Sequence, residues 1–171
     1  MAFRRNNVVK GSKPHLKKPA YKFLVSACLV GNKCTFRGGD NFDKKTAGLF
    51  YSGLALAACP EVVGGLGVPR KRSEILSGGG AQVLNGKSRV INTAGDDLTR
   101  RYVDGSLKLL ALAKKFGIKR AILKSDSPAC GIGRIYDGTF SGKYRMADGV
   151  FAAALRREGF KLYDEKAKKY E

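Results

Sequence analysis

Arg120-Ala121-Ile122-Leu123-Lys124-Ser125-Asp126-Ser127-Pro128-Ala129-Cys130 holds the pattern that decides the fold. Ala121-Ile122-Leu123 is a short unbroken apolar run between basic residues, as expected of a strand buried on both faces in a parallel sheet. It runs directly into a polar turn that ends on a cysteine. Upstream, Tyr102, Val103, Leu107, Leu110, Leu112 and Ala113 follow Asp97-Leu98-Thr99 at helical spacing, and Phe116-Gly117 supplies a stop. Tyr21 to Ala27 reads as another short strand around Phe23-Leu24-Val25, which leads straight to Cys28 and a Gly31-Asn32 turn. Lys44 to Ala58 reads as a helix of small apolar residues that breaks at Cys59-Pro60-Glu61. Residues 64–88, glycine-rich around Arg70-Lys71-Arg72, predict a long exposed loop. Asp148 to Glu158 predicts a last helix, and Phe160 to Tyr163 a final edge strand.

This alternation predicts a single-domain α/β fold over residues 21–171, a mostly parallel, Rossmann-like sheet with helices on both faces, behind a basic arm over residues 1–20. In such open sheets ligands gather beyond the carboxyl ends of the strands, where the cysteine loops fall.

The 171 residues carry 33 Lys and Arg against 14 Asp and Glu, a formal charge of +19. An excess of that size calls for a polyanionic neighbour. RNA, as tRNA or rRNA, fits first, with ribonucleoprotein neighbours around it. Arg4, Arg5, Lys17 and Lys18 of the arm, with Arg70, Lys71 and Arg72, are the candidate phosphate contacts. No run approaches the roughly 20 apolar residues of a membrane span, and the N-terminus lacks a secretory apolar core. A cytoplasmic or organelle-matrix location, the mitochondrion included, is therefore expected, with no membrane partner. In a reducing compartment four cysteines point to metal ligands or reactive thiols before disulfides.

Cys28, Cys59 and Cys130 are each bracketed by turn residues at the end of an element, a ligand-like arrangement. Cys34 is a further candidate, but its spacing from Cys28 is too wide for a zinc knuckle, and no histidine outside the arm completes a tetrahedral site. Thiolates from dispersed loops suit an iron-sulfur cluster; a four-cysteine zinc site is the alternative.

Four strings carry a resemblance to a known family: Val25-Ser26-Ala27-Cys28-Leu29-Val30-Gly31, Cys59-Pro60-Glu61-Val62-Val63-Gly64-Gly65-Leu66, Ile122 through Gly131, and Ile135-Tyr136-Asp137-Gly138-Thr139-Phe140-Ser141-Gly142. With Asp148-Gly149-Val150 near the end, the chain resembles the thiouracil desulfidases over roughly residues 21–165. The resemblance implies a 4Fe-4S cluster on Cys28, Cys59 and Cys130, with one iron open to the sulfur of a thiolated pyrimidine. It also implies an acid/base residue, for which Glu61 is the candidate, with Ser127 assisting and Lys124 and Ser125 contacting the substrate's polar edge or phosphate. Two departures stand out: Ala129 precedes the third cysteine where the family usually has Ser, and Thr35-Phe36-Arg37-Gly38 replaces the usual Arg-Tyr-Asp-Gly. The reaction expected is non-redox desulfuration of a thiolated uracil, free or within RNA. The competing expectation is a structural RNA-binding protein, such as an organellar ribosome subunit, that keeps the fold and cluster without turnover.

Overall fold

The computed structural model describes residues 20–170. Four parallel strands, β1 (Phe23–Ser26), β2 (Ala55–Ala58), β5 (Arg120–Leu123) and β8 (Lys161–Asp164), form the central sheet in the order β2-β1-β5-β8. β1 aligns Phe23 with Ala55 on one side and with Arg120 on the other, and β5 aligns Arg120 with Lys161. Alternation along the strands divides the core in two. Phe23, Val25 and Ile122 face α1 (Lys44–Tyr51) through Ala47, while Leu24, Ala121 and Leu123 face α4 (Thr99–Lys115) and α5 (Val150–Arg157). Helices thus cover both faces of a parallel sheet, the expected single-domain α/β architecture.

The α4 stripe buries Tyr102, Leu109, Leu110 and Ala113, and the helix ends before Gly117, whose φ of +72° makes the left-handed turn that glycine tolerates. β8 takes the expected edge position. Two stretches differ from the sequence expectation. Lys44 to Ala58 is not one helix: α1 ends at Tyr51, Gly53 turns the chain at φ +73°, and Ala55-Leu56-Ala57-Ala58 forms β2. Alanine's helical preference yields here to in-register pairing with β1, a tertiary contact that no local pattern encodes.

Residues 64–88 are not one exposed loop either. β3 (Ser73–Ile75) is buried and pairs antiparallel with β4 (Val90–Asn92), and α3 (Gly80–Leu84) packs on α5. Gly80 marks close approach rather than mobility, since a Cβ there would lie 2.2 Å from the Gly149 carbonyl oxygen. A short helix, α2 (Pro60–Val63), follows β2, and a hairpin of β6 (Ile135–Tyr136) and β7 (Tyr144–Arg145) follows β5. No helix among the described residues is long and apolar enough to cross a membrane.

Candidate functional site

β2, β1 and β5 are neighbours in the sheet, so their carboxyl ends open side by side. Each delivers a cysteine: Cys28 on the 3-10 turn after β1, Cys59 at the start of α2, and Cys130 in the loop beyond β5. These thiols and Cys34 line one cavity of about 540 Å³ together with Glu61, Arg70, Tyr102, Lys124, Ser125 and Ser127. The structure therefore gathers, from stretches far apart in sequence, the four cysteines, Glu61 and the four polar residues of the 124–127 turn.

Cys34 is close enough to exchange a hydrogen bond with either Cys28 or Cys59. Its hydrogen bond lowers the Cys59 thiol to about 7, against the opposing effect of burial and with help from the Val62 and Glu61 N–H groups at the start of α2. The same neighbour, assisted by Asn41, lowers Cys28. Those contacts push Cys34 up, and burial pushes Cys130 up although Ser26 hydrogen-bonds to it. The hydroxyl of Ser26 also accepts from the Lys124 N–H at 3.0 Å, so one buried side chain ties β1 to the Cys130 loop.

Glu61 is held through a single oxygen. Its Oε2 accepts from Arg70 Nε at 2.8 Å and from the Tyr102 hydroxyl at 3.0 Å, and lies 2.7 Å from the second Arg70 nitrogen. Burial raises the Tyr102 phenol well above its usual range, so it remains a donor. Burial also works against the Arg70 charge, but the adjacent Glu61 more than offsets it.

Ser127 accepts from the N–H groups of Ala129 and Cys130, both at 3.1 Å, a turn that shapes the approach to Cys130 and leaves the hydroxyl proton uncommitted. Lys124 and Ser125 are more occupied. Lys124 Nζ donates to Glu165 Oε1 at 2.6 Å and to both Ser125 oxygens, and Ser125 donates its hydroxyl to Glu165 at 2.8 Å. Both line the cavity as charge and shape, with their protons already engaged by Glu165.

The 70–72 stretch departs from the expected exposed phosphate grip. Arg70 is turned inward, its side chain 9% exposed, because Glu61 and the Cys34 carbonyl draw its guanidinium to the cavity wall. Arg72 lies 3.5 Å from buried Glu74 and donates to the Phe140 carbonyl at 2.7 Å, which leaves Lys71 as the outward-facing member. Arg4, Arg5, Lys17 and Lys18 lie outside the described residues.

Sequence reasoning missed Ser26, Tyr102 as a polar group, Glu165 and Arg37. A phenol in an otherwise apolar helical stripe is a signal for Tyr102, since a buried hydroxyl needs a partner. Arg37, exposed over the Phe36 ring at 5.2 Å, is a cation of the cavity with no carboxylate partner among the described residues.

A cysteine-only donor set, two of its thiols lowered toward thiolate, fits an iron-sulfur cluster held by Cys28, Cys59 and Cys130. Among the described residues no three or more His, Cys, Asp or Glu form a ready-made single-ion cage, so the fit to a cluster rests on the chemistry of the cysteine donors, and nothing in the grouping points to zinc.

Comparison with known proteins places the chain in a family. The uncharacterized protein YbbK of Bacillus subtilis is 42% identical over 142 residues, 83% of this chain and 94% of YbbK. The solved structure of the [4Fe-4S]-dependent thiouracil desulfidase TudS superposes with a TM-score of 0.74 at 37% identity, covering 85% of this chain and 91% of that one. The family model of 2-thiouracil desulfurase matches residues 23–167. Since that match runs from the first residue of β1 past the end of β8 and takes in every cysteine of the cavity, the chain belongs to the 2-thiouracil desulfurase family.

Proposed function

We propose that the chain hydrolyses the carbon-sulfur bond of a thiolated uracil, free or within RNA, at the cysteine-lined cavity. The observation that carries this reading is that Cys28, Cys59, Cys130 and Glu61 all line one cavity. When bound by these three thiolates, a 4Fe-4S cluster supplies an iron without a protein ligand, a soft Lewis acid for the thiocarbonyl sulfur. Overall, water replaces sulfur: a carbon-oxygen bond forms at the ring carbon, the carbon-sulfur bond breaks, and sulfide departs with no net change of oxidation state.

The protein's own groups manage the protons and the pose. Glu61 Oε1 takes no hydrogen bond from the described residues, so it is the oxygen that accepts a proton from the attacking water and returns it as sulfide leaves. Ser127, its hydroxyl proton uncommitted, donates to the pyrimidine's polar edge. Lys124, ion-paired with Glu165, and Ser125, bonded to the same carboxylate, shape the rim against which the substrate's polar edge is placed. Arg37 is left to meet a phosphate, which supports a phosphate-bearing uridine or an RNA segment as the form presented. The formal charge of +19 points the same way.

The test is anaerobic reconstitution with iron and sulfide, followed by 4-thiouracil or thiouridine-containing tRNA, while thiocarbonyl absorbance and released sulfide are followed. Loss of absorbance matched by sulfide is expected. Glu61→Gln should slow turnover by about 10²–10⁴-fold, the range for a lost general base. A loaded cluster with no turnover on either substrate would overturn the desulfidase reading in favour of a cluster-bearing RNA-binding protein.

A further inference from the structure

Glu61 leads a short helix at the carboxyl edge of the sheet, and a carboxylate there is free to rotate unless something holds it. Three donor contacts converge on Oε2: two from the Arg70 guanidinium and one from the Tyr102 hydroxyl. Oε1 has no hydrogen-bond partner among the described residues, yet it is not one of their buried, unpartnered polar atoms. An oxygen that is neither bonded nor buried faces open space, and Glu61 lines the cavity.

We propose that Tyr102 and Arg70 are positioning residues for the reaction, fixing Glu61 by Oε2 so that Oε1 faces the cavity as the proton-accepting oxygen. The proposal rests on the reading of Glu61 as the base. Tyr102 is 1% exposed on α4 and reaches Glu61 only because α2 and α4 approach at backbone distance: a Cβ on Gly105 would lie 2.0 Å from the Pro60 carbonyl oxygen. Arg70 does more than neutralise a charge. Its guanidinium also donates to the Cys34 carbonyl at 3.0 Å and its peptide N–H to the Phe36 carbonyl at 2.8 Å, joining the base to the loop that carries Cys34. A planar fork can make these contacts at once, whereas a lysine ammonium cannot hold the same geometry. With Oε2 saturated by donors, the proton taken from water resides on Oε1.

The experiment uses the full chain with its reconstituted cluster. Tyr102→Phe keeps the ring and removes one hydrogen bond to a charged group; kcat should fall about tenfold with KM within about twofold, while iron, sulfide and the visible spectrum stay as in the parent. Arg70→Lys should fall further. Ser106→Ala serves as the structural control, because Ser106 donates only to the Tyr102 carbonyl, at 2.7 Å, from a fully buried position. It should lower the thermal midpoint and leave kcat intact.

The deciding measurement is the double variant. In a Glu61→Gln background Tyr102→Phe should cost no further activity, since it acts through the carboxylate. A kcat loss that persists undiminished in that background, a parent-like kcat for Tyr102→Phe, or an equal loss in Ser106→Ala would each overturn the proposal. A fully active Glu61→Gln single variant would overturn the base reading itself, and the positioning role with it.

Discussion

Cys28, Cys59 and Cys130 are delivered by three strands adjacent in the sheet to the lining of one cavity, so each thiol removed takes one donor from the same site. Cys59→Ala or Cys130→Ala should therefore bleach the broad visible absorbance of the reconstituted protein, lower bound iron and destabilise the domain, because cluster-binding energy is folding energy. Cys34→Ala should retain colour and iron if three thiolates suffice. Iron content equal to the parent in Cys130→Ala would remove that residue from the ligand set. These cysteines stood out because turn residues bracket them at element ends, and Glu61 through the family resemblance and its place two residues beyond Cys59. Tyr102 and Arg70 were not, since their partners are distant or hidden: the Tyr102–Glu61 bond spans 41 positions, and Arg70 sits in a basic triplet that resembles a solvated surface. Nothing local distinguishes an arginine turned inward from one turned out.

At the level of elements, the α2–α4 contact sets the site. α2 carries Cys59 at its N-terminus and Glu61 in its first turn, and α4 supplies Tyr102. Gly105 is the point of closest approach, with a hypothetical Cβ 2.0 Å from the Pro60 oxygen and 2.8 Å from the Gly64 nitrogen. Both obstacles are backbone, so relief requires the helices to separate. Gly105→Ala should therefore destabilise the protein by about 1–3 kcal/mol despite alanine's better helix propensity, as overpacking does. Denaturant unfolding measures the loss, and parent-like stability would mean the two helices part without cost. The long α4 and the β5 strand were legible from periodicity. β2 and β3 were not, because Ala-Leu-Ala-Ala and Ser-Glu-Ile carry no strand period of their own and owe their conformation to β1 and β4.

Across the whole molecule, charge was the feature most open to reading and the one least fixed by the fold. Even if every one of the 14 acidic residues paired with a base, 19 Lys and Arg would remain uncompensated. The ion pairs of the described residues, at Glu61, Glu74, Asp148 and Glu165 among others, each take up one base with one acid, so they leave that excess unchanged. A polyanion meeting that surface releases counterions, and its affinity should fall steeply with salt. Residues 1–20 contribute six Lys and Arg and no acidic residue, so their removal lowers the formal charge to +13. If all six engage phosphates, the slope of log affinity against log salt should become shallower by about 4–5 units. Titrations of tRNA at several salt concentrations, with the full chain and with residues 1–20 deleted, measure this directly. Binding with an unaltered slope would assign the phosphate contacts to the folded domain, where Lys71, Arg37 and the cavity rim would have to carry them, and no salt-sensitive binding by the full chain would remove RNA as the partner.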